Sequence, residues 1–419
     1  MSDIRIALDT LGCKLNQAEA ETLARELAAA GYTLVRSVAE ADIYILNTCT
    51  VTHIADRKAR NLLRQAHRRN GAARLIAIGC YAERSPQELA GIEGVDLVLG
   101  NDRKTQVLDK LRASGCLASL PPGEHNGYDY GRNRSFLKIQ DGCRDFCSYC
   151  IVPLVRRKVK SVPVEKVIAE VKDRIAGGAR EVVLTGTEVG AYHCDGINFA
   201  GLLKRILAET GVTRLRLSSL QPQEVSAELL ELWEDSRLCP QFHLSLQSGS
   251  DSVLRRMKRR YTSADYQYAV ALIRRELPDT AITTDVIAGF PGETEAEFKE
   301  SHDFCRRTGF ARIHVFPYSR RPGTEAADIT DQVSDKVKRE RVKKMLALAG
   351  ESALNFRQHF LGRAMPVLWE QKSNGVWSGY TANYIRVYTR SNEDLTNQLV
   401  PVKLESIYQD GVWGTWSDF

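Results

Sequence analysis

The sequence lacks any apolar run long enough to cross a membrane. No segment approaches the roughly eighteen consecutive apolar residues that a membrane helix needs. The opening MSDIRIALDT has neither the basic start nor the continuous apolar stretch of a secretory signal. We therefore expect no membrane contact and a cytoplasmic location. In such a reducing compartment, the ten cysteines among 419 residues indicate metal or redox chemistry rather than a framework of disulfides.

A strong charge of one sign is also missing, since the net charge is only +6. The basic residues are concentrated in three stretches, at residues 55–70, 255–260 and 336–344. Within the first stretch, four arginines recur at helical spacing and would share one helix face: Arg57, Arg60, Arg64 and Arg68. Three basic surfaces suit a polyanion such as RNA, although a solvated helix face is the simpler explanation of any one of them.

Residues 1–112 alternate short β-rich runs with helical patterns, which predicts a parallel α/β domain of the Rossmann or flavodoxin-like type. Cys13, Cys49 and Cys80 each lie just beyond the carboxyl end of a predicted strand: IRIAL, DIYILN and RLIAIG. Open α/β sheets place their ligand crevice at that edge. The three cysteines could therefore meet in space although they are far apart in sequence.

Two further domains are predicted after a linker at residues 113–135, which has prolines, glycines and small polar residues without periodicity. Residues 136–360 hold six strand candidates separated by helical segments, which predicts a partial (β/α)6 barrel, short of the usual eight units. Residues 361–419 hold five short strands between turn signals, which predicts a small β-barrel similar to oligonucleotide-binding (OB-like, TRAM) barrels. Its aromatic residues could stack on bases or, as is more common, form its core: Trp377, Tyr380, Tyr384 and Tyr388.

Three cysteines within eight residues follow the first strand of the predicted barrel, in DGCRDFCSYC: Cys143, Cys147 and Cys150. A structural zinc site needs four protein ligands, and no nearby cysteine or histidine supplies the fourth. Three thiolates on a four-iron cluster instead leave one iron without a protein ligand and open to a small molecule. The spacing therefore favours an iron–sulfur cluster with an open coordination position.

This C-x3-C-x2-C pattern after the first strand of a partial barrel resembles the signature of the radical S-adenosylmethionine enzymes. The resemblance implies that S-adenosylmethionine binds the open iron and that one electron cleaves it to a 5′-deoxyadenosyl radical. The stretches LTGTEVGAY, HLSLQSGSD, TDVIAGFPGET and HVFPYSRRPGT fit the family too. It further implies that residues of these stretches contact S-adenosylmethionine: Thr185, Gly186, Ser245, Gln247, Gly289, Phe316 and Tyr318.

Nearly the whole chain resembles the methylthiotransferases of that superfamily, through LGCKLNQAEAE, NTCTVTHIADRK and IGCYAE. The resemblance implies a second 4Fe-4S cluster at Cys13, Cys49 and Cys80, again with an open iron, which would hold a sulfide that one S-adenosylmethionine methylates. A second S-adenosylmethionine would give the radical that removes hydrogen from C2 of an adenine. That carbon would then take the methylthio group. No histidine base is required for that step, so we assign the eight histidines structural roles. The other cysteines are expected to be ordinary free thiols: Cys116, Cys194, Cys239 and Cys305.

Substrates in this family divide between adenosine 37 of tRNA and an aspartate of a ribosomal protein. The motifs here look most like the branch that acts on N6-threonylcarbamoyladenosine. An anticodon stem-loop would be bound by the four helical arginines and Arg156, and a flavodoxin or ferredoxin would supply electrons.

PLVRR departs from the family pattern, with Leu154 for tyrosine and Arg157 for glycine. The alternatives are a ribosomal-protein aspartate, isopentenyladenosine-37 tRNA, and a non-catalytic, zinc-holding RNA-binding module.

Overall fold

The computed structural model describes residues 4–115 and 133–416. Cys116 and most of the predicted linker, residues 116–132, lie outside these ranges. The described chain forms two compact units, of which the first contains residues 4–115, 141–160 and 319–327. The second contains residues 133–140, 161–318 and 328–416. No helix in the described ranges is both long enough and apolar enough to span a membrane.

The first unit is built on a parallel sheet in the order β2-β1-β3-β4-β5. Its elements are β1 (Arg5–Thr10), α1 (Lys14–Ala29), β2 (Thr33–Val35), β3 (Ile43–Thr48), α2 (His53–Arg69), β4 (Arg74–Gly79), α3 (Cys80–Arg84), α4 (Pro86–Ala90), β5 (Val95–Leu99) and α5 (Val107–Ala113). Side chains alternate across the sheet, so Ile43 and Ile45 pack with α1 and α5, while Tyr44 and Leu46 pack with α2, α3 and α4. The strand order reverses between β1 and β3, which is where such sheets place their ligands.

The second unit carries the predicted incomplete barrel as two parallel sheets, β6-β9-β12 and β13-β14-β15-β16, with the strands in chain order. The elements from residue 134 onward are β6 (Arg134–Lys138), β7 (Gln140–Asp141), α6 (Val152–Val155), β8 (Lys160–Ser161), α7 (Val164–Ala176), β9 (Glu181–Thr185), β10 (His193–Cys194), β11 (Ile197–Asn198), α8 (Phe199–Glu209), β12 (Arg214–Leu217), β13 (Ser219–Leu220), α9 (Ala227–Leu230), β14 (Gln241–Leu244), α10 (Asp251–Arg256), α11 (Ser263–Glu276), β15 (Ala281–Ala288), α12 (Glu295–Thr308), β16 (Arg312–Pro317), α13 (Glu325–Asp328) and α14 (Asp335–Gln358). Only Ser218 separates β12 from β13, so these strands fill six barrel positions, as predicted.

A closed β-barrel follows, in the order β17-β18-β19-β21-β20. Its strands are β17 (Ala364–Ser373), β18 (Val376–Thr381), β19 (Arg386–Thr389), β20 (Leu399–Tyr408) and β21 (Gly411–Thr415). The α/β fold class predicted from the sequence, with a parallel first domain, a partial barrel and a terminal β-barrel, is confirmed.

The terminal β-barrel packs on the amino-terminal ends of the parallel strands of the second unit. Glu181, at the start of β9, is fully buried and accepts hydrogen bonds from Arg216 at 2.7 and 3.0 Å. Arg216 also donates to the Ala382 carbonyl at 2.9 Å, and its guanidinium lies 4.5 Å from the ring centre of Tyr384. Burial raises the pKa of Glu181, but Arg216 and its neighbours more than offset this, so the pKa lies below its usual value. Arg216, held by its buried ion pair with Glu181 inside the parallel barrel, therefore links the two barrels at the end opposite the strands' carboxyl termini.

The aromatic residues of the terminal barrel are committed to packing. Trp377 and Tyr388 are buried, at 4% and 6% exposure. Tyr380 and Tyr384 stack on one another at 5.0 Å, and the guanidinium of Arg134 lies over both rings. These rings are thus held by the protein's own contacts, and of the two roles considered from the sequence the structure favours the packing role.

Candidate active site

The sheet of the first unit brings Cys13, Cys49 and Cys80 to one edge. Thr48 and Gly79 are paired in neighbouring strands, and Cys49 and Cys80 are the residues that directly follow them. Cys13 caps α1, three residues after β1, which is the other neighbour of β3. The pKa of Cys49 is raised to about 12, chiefly by burial and in smaller part by the nearby thiols of Cys13 and Cys80. These three residues are called the sheet-edge cysteines below.

Two glycines allow the backbone to pass close to these cysteines. Gly12 has φ +105°, and a Cβ there would lie 2.5 Å from Cβ and 2.8 Å from Sγ of Cys49. Gly79 has φ +102°, and a Cβ there would lie 2.6 Å from the Thr48 carbonyl oxygen. Each glycine precedes a cysteine in the motifs LGC and IGC, so any side chain at these positions would push the neighbouring strand end away.

Buried amides connect the loops that carry the sheet-edge cysteines. The Asn16 amide donates to the carbonyls of Leu11 and Thr48, at 2.8 and 3.1 Å, and the Asn47 amide donates to the Asn16 carbonyl at 2.9 Å. The amide of Asn101 donates to Sγ of Cys80 at 3.5 Å. The bonds of Asn16 and Asn47 fix the loop geometry through the backbone, whereas Asn101 contacts a thiol directly. The sequence alone did not predict these hydrogen bonds, although Asn16 and Asn47 lie inside the motifs LGCKLNQAEAE and NTCTVTHIADRK.

The second set, Cys143, Cys147 and Cys150, lies on an irregular segment between β7 and α6 and is called the loop cysteines. All three are half-buried. The Cys150 N–H donates to the Cys147 carbonyl at 2.9 Å, and the Asp145 N–H donates to Sγ of Cys143 at 3.4 Å. Phe146, between the thiols, has φ +46° and is 61% exposed. Short-range turns, rather than strand pairing, hold these thiols.

The donor chemistry of both sets suits an iron–sulfur cluster better than a single zinc ion. Each set offers three thiols, which are the ligands such clusters use. Zinc at about 2.3 Å from each sulfur would draw three thiols to within roughly 4 Å of one another. As the structure places the described residues, neither set has its three sulfurs within 4.8 Å of one another. Sets of three thiols therefore match a cluster with one open iron better than a zinc site closed by four protein ligands.

Arg156 does not have the place expected of an RNA-binding residue. Its side chain is 4% exposed, and its guanidinium donates to both carboxylate oxygens of Glu19, at 2.8 and 2.9 Å. It also donates to Asp141 at 2.8 Å and to Asn16 at 3.0 Å. Its four terminal N–H donors are thus engaged within the protein, so this geometry does not support the predicted RNA contact, which stays a prediction. Arg156 instead ties the segment of the loop cysteines to α1, which begins at the residue after Cys13.

The other predicted RNA-binding arginines lie on α2. Arg57, Arg64 and Arg68 are exposed. Arg60 is half-buried and donates to the Tyr81 hydroxyl at 2.5 Å and to Glu88 at 2.8 Å. The exposed three remain available to an anion, and their role in RNA binding stays a prediction.

A buried polar cluster lies behind the first turn of α2 and was not predicted from the sequence. Asp56 accepts a hydrogen bond from the Thr50 hydroxyl at 2.6 Å, and the guanidinium groups of Arg84 and Arg321 reach it at 3.0 and 2.6 Å. Asp56 and Arg321 both lie in stretches quoted as family motifs, but only the fold shows that they pair. The cluster fixes the chain between Cys49 and α2.

The predicted S-adenosylmethionine residues lie at the carboxyl ends of the parallel strands in the second unit. Thr185 ends β9 and is buried, and Gly186 follows it; Ser245 follows β14. The backbone of Gln247, at φ +67°, joins β15 by exchanging hydrogen bonds with Asp285 and Ile287, at 2.8 and 2.9 Å.

The remaining three of these residues lie on or after the last two barrel strands. Gly289 follows β15, and its N–H donates to Glu293 at 2.8 Å. Phe316 on β16 is 42% exposed, whereas Tyr318 is buried with its ring edge-on to Phe290 at 5.6 Å. Barrels of this kind build active sites at this end, and the contacts with S-adenosylmethionine stay a prediction. Cys194, Cys239 and Cys305 form no disulfide.

Comparison with known proteins gives two matching family models. One, described as the uncharacterized protein family UPF0004, covers residues 5–100, and the other, described as the radical SAM superfamily, covers residues 137–305. The first contains all three sheet-edge cysteines and the second all three loop cysteines.

Similar proteins match along almost the whole chain. Threonylcarbamoyladenosine tRNA methylthiotransferase MtaB of Bacillus subtilis is 36% identical, with 95% of this chain and 93% of that protein covered. The protein of the same name from Aquifex aeolicus is 38% identical, with 92% and 96% covered. The tRNA-2-methylthio-N(6)-dimethylallyladenosine synthase of Syntrophotalea carbinolica is 35% identical, with 97% and 98% covered. Among solved structures, the radical S-adenosylmethionine methyltransferase TsrM from Kitasatospora setae aligns with a TM-score of 0.57 and 16% identity, over 77% of this chain and 75% of that one. That likeness supports the fold alone.

Proposed function

The chain belongs to the radical S-adenosylmethionine tRNA methylthiotransferases, and on that premise we propose that it converts N6-threonylcarbamoyladenosine at position 37 of tRNA to its 2-methylthio derivative. The observation that carries this choice is the identity of 34–38% to threonylcarbamoyladenosine enzymes from four organisms, over more than nine-tenths of both chains. We expect the reaction to occur in the cytoplasm, with a flavodoxin or ferredoxin as electron donor.

Two 4Fe-4S clusters would be held by the chain, one by Cys13, Cys49 and Cys80 and one by Cys143, Cys147 and Cys150. When bound, these clusters supply one-electron cleavage of S-adenosylmethionine at the loop cysteines and a site for sulfur at the sheet-edge cysteines. The protein's contribution is position. Strand pairing, Gly12 and Gly79 set the sheet-edge thiols, local turns set the loop thiols, and Arg156 braces the two segments inside one unit.

The second unit would bind S-adenosylmethionine, and α2 of the first unit would bind the tRNA. The polar groups and glycines at the strand ends would hold S-adenosylmethionine, with Thr185 and Gly186 near its amino group and Ser245 and Gln247 near its carboxylate or ribose. Gly289, Phe316 and Tyr318 would border its adenine. The exposed arginines of α2 would attract the phosphates of an anticodon stem-loop, whose unpaired base leaves its stack at low cost.

A second candidate substrate is adenosine carrying a dimethylallyl group on N6. It is favoured by the 35% identity to a dimethylallyladenosine synthase over 97% of this chain. Both candidates require the same two cysteine sets, so the cysteines do not separate them. A ribosomal-protein aspartate has no such support among the relatives described above.

The test is a nucleoside profile of tRNA from cells with and without this protein. We expect 2-methylthio-N6-threonylcarbamoyladenosine to disappear without it and to return with the wild-type gene, while the unmethylthiolated nucleoside accumulates. Loss of the 2-methylthio derivative of dimethylallyladenosine instead would establish the second candidate. An unchanged tRNA profile would refute both.

A further inference from the structure

Two histidines and an aspartate form a cluster on the last three barrel strands that the proposed chemistry does not use. Asp285 on β15 lies between His243 on β14 and His314 on β16. One carboxylate oxygen is 3.2 Å from Nε2 of His243, and the other is 3.1 Å from Nδ1 of His314. The two imidazole rings stack at 5.5 Å with an angle of 25° between their planes. Both oxygens of the carboxylate are therefore engaged by imidazoles.

The cluster faces the interior of the parallel barrel. Its residues alternate along the strands with Phe242, Leu244, Ile313 and Val315, all of which pack in the core beneath the helices. His314 therefore shares its strand face with Phe316, and His243 shares its face with Ser245. These higher residues are the ones expected to bind S-adenosylmethionine, so the cluster lies one side-chain layer below that site.

Hydrogen bonds hold the cluster from below. Nδ1 of His243 is 3.0 Å from the Thr283 hydroxyl, which accepts from the Gln241 amide at 3.3 Å. The Gln241 oxygen is in turn 3.4 Å from Arg216, the residue that links the two barrels. The polar groups thus form a chain from the amino-terminal end of the barrel up to His314.

His314 is the member of this chain that remains open at its upper end. Its side chain is 39% exposed, whereas that of His243 is 9% exposed. In the described part of the chain, its hydrogen bond is made through Nδ1 to Asp285, and none involves Nε2. Burial raises the pKa of Asp285, but the bonds from His243 and His314 lower it far more, so the group is a carboxylate at neutral pH. Nδ1 of His314 donates to that carboxylate, and in the neutral form of the ring this tautomer leaves the lone pair on Nε2, which faces the barrel interior.

We propose that His314 is a specificity residue, whose Nε2 accepts a hydrogen bond from a donor group of the polar substituent on N6 of the target adenine. This inference rests on the proposed function and adds to it the substrate group that the protein recognises, which is the substituent on N6. A threonylcarbamoyl group offers a ureido N–H and a hydroxyl as donors. Its carboxylate is turned away from the cluster because Asp285 already carries a negative charge there. Asp285 and His243 act as positioning residues that hold the ring of His314.

The same geometry rejects a purely hydrocarbon substituent. A dimethylallyl group has no donor, so it would cover Nε2 and leave a polar atom buried without a partner. Sites built to bond a substrate donor discriminate strongly against analogues that lack it, because the unpaired group in the site is penalised. The barrel interior below the predicted S-adenosylmethionine site is therefore matched to a polar N6 substituent.

The experiment compares wild type with His314→Phe, both reconstituted with iron and sulfide under anaerobic conditions. Each is assayed on tRNA carrying N6-threonylcarbamoyladenosine and on tRNA carrying dimethylallyladenosine. We expect His314→Phe to lower kcat/KM on the first tRNA by roughly ten- to a hundredfold, chiefly through KM, and not to lower it on the second. Formation of 5′-deoxyadenosine without tRNA should be unchanged, as should iron content. His302→Asn, on the outer helix α12, is the matched control and should behave as wild type.

Asp285→Asn provides a second variant of nearly the same shape. It keeps His314 but removes the charge that fixes the tautomer of its ring. We therefore expect kcat/KM on the threonylcarbamoyl tRNA to fall, but by less than in His314→Phe. If His314→Phe fails to retain iron or shows a lowered Tm, Asp285→Asn decides the question.

The outcomes separate the two levels of the proposal. If wild type acts on neither tRNA, the proposed function is wrong and this inference falls with it. If wild type modifies the threonylcarbamoyl tRNA and His314→Phe does so within twofold, only the inference is wrong. Loss of 5′-deoxyadenosine formation in His314→Phe would assign the residue to S-adenosylmethionine. A divalent ion present in wild type and absent from His314→Phe would make the cluster a metal site. Either result overturns the inference.

Discussion

The two cysteine sets present the same three thiols by opposite means. The sheet-edge cysteines come from three strand ends spread over 68 positions, Cys13 to Cys80, and are aligned by strand pairing. The loop cysteines come from eight consecutive residues and are held by turns. Of the sheet-edge cysteines, Cys49 and Cys80 are buried, at 4% and 8% exposure, and Cys13 is exposed, whereas all three loop cysteines are half-buried.

This difference indicates which set depends on the fold. Removing strand pairing would separate the sheet-edge thiols, because each loop carries only one of them. The loop thiols would stay within a few residues of one another even in an unfolded chain. Under the proposed function, the site that would hold a sulfur is built on paired strands, and the site that would cleave S-adenosylmethionine is built on a segment without strand pairing.

The largest effect expected is from Cys147→Ala, in the loop set. Removing one of three thiolates should abolish binding of that cluster, because no fourth ligand replaces it. We expect 5′-deoxyadenosine formation to fall below detection, methylthiolated product with it, and bound iron to drop by about half. Cys194→Ala, outside both sets, is the control and should keep all three. Retained 5′-deoxyadenosine formation in Cys147→Ala would show that the loop set is wrongly assigned.

Cys49→Ala tests the sheet-edge set and should have a narrower effect. The iron content should again fall by about half, and methylthiolated tRNA should be lost. Cleavage of S-adenosylmethionine should continue, because its ligands lie in the other set. If Cys147→Ala and Cys49→Ala both abolished 5′-deoxyadenosine formation, the two cysteine sets would not have the separate roles assigned to them. Methylthiolated product from Cys49→Ala under turnover would contradict the sulfur route assigned to this set.

Arg156→Met tests the residue that links the two segments. Its loss leaves Asp141 charged beside it and Glu19 with Lys104 as a remaining cation, so the cost should be at or below the about 3–5 kcal/mol of a broken buried ion pair. We expect the urea midpoint of the iron-loaded protein to fall accordingly. The adjacent Arg157→Met, on an exposed side chain that bonds the Leu154 carbonyl at 3.0 Å, should change stability by less than about 1 kcal/mol.

Coupling between Arg156 and Glu19 completes that test. Glu19→Gln should cost much less in the Arg156→Met background than in wild type, because the pair is already broken. Additive effects of the two substitutions, or equal losses for the Arg156 and Arg157 variants, would show that the guanidinium is not what braces these segments.

The sequence alone predicted the features that depend on the spacing of apolar residues and on the order of neighbouring residues along the chain. Strand runs such as RLIAIG were recognisable because apolar β-rich residues fill both faces of a parallel strand, and the position of Cys80 at the strand end followed. The contacts of Arg156 could not be predicted because a lone arginine in PLVRR carries no sign of Glu19, a partner 137 positions away. The pairing of His243, Asp285 and His314 was missed for the same reason, since each stands on a different strand and only the barrel aligns them.

The smallest effect expected is a difference in thiol reactivity between the sets after iron is removed. In the metal-free protein, iodoacetamide reaches a half-buried thiol directly, but reaches Cys49 or Cys80 only after local opening of the sheet edge. We expect Cys147 to be modified about tenfold faster than Cys49, as followed by mass spectrometry of the digested protein. Cys305, fully buried and in neither set, reports on global unfolding and should remain protected. If Cys49 reacted as fast as Cys147 while Cys305 stayed protected, strand pairing would not hold the sheet-edge thiols without iron, and the contrast between the two sets would belong to the clusters rather than to the fold.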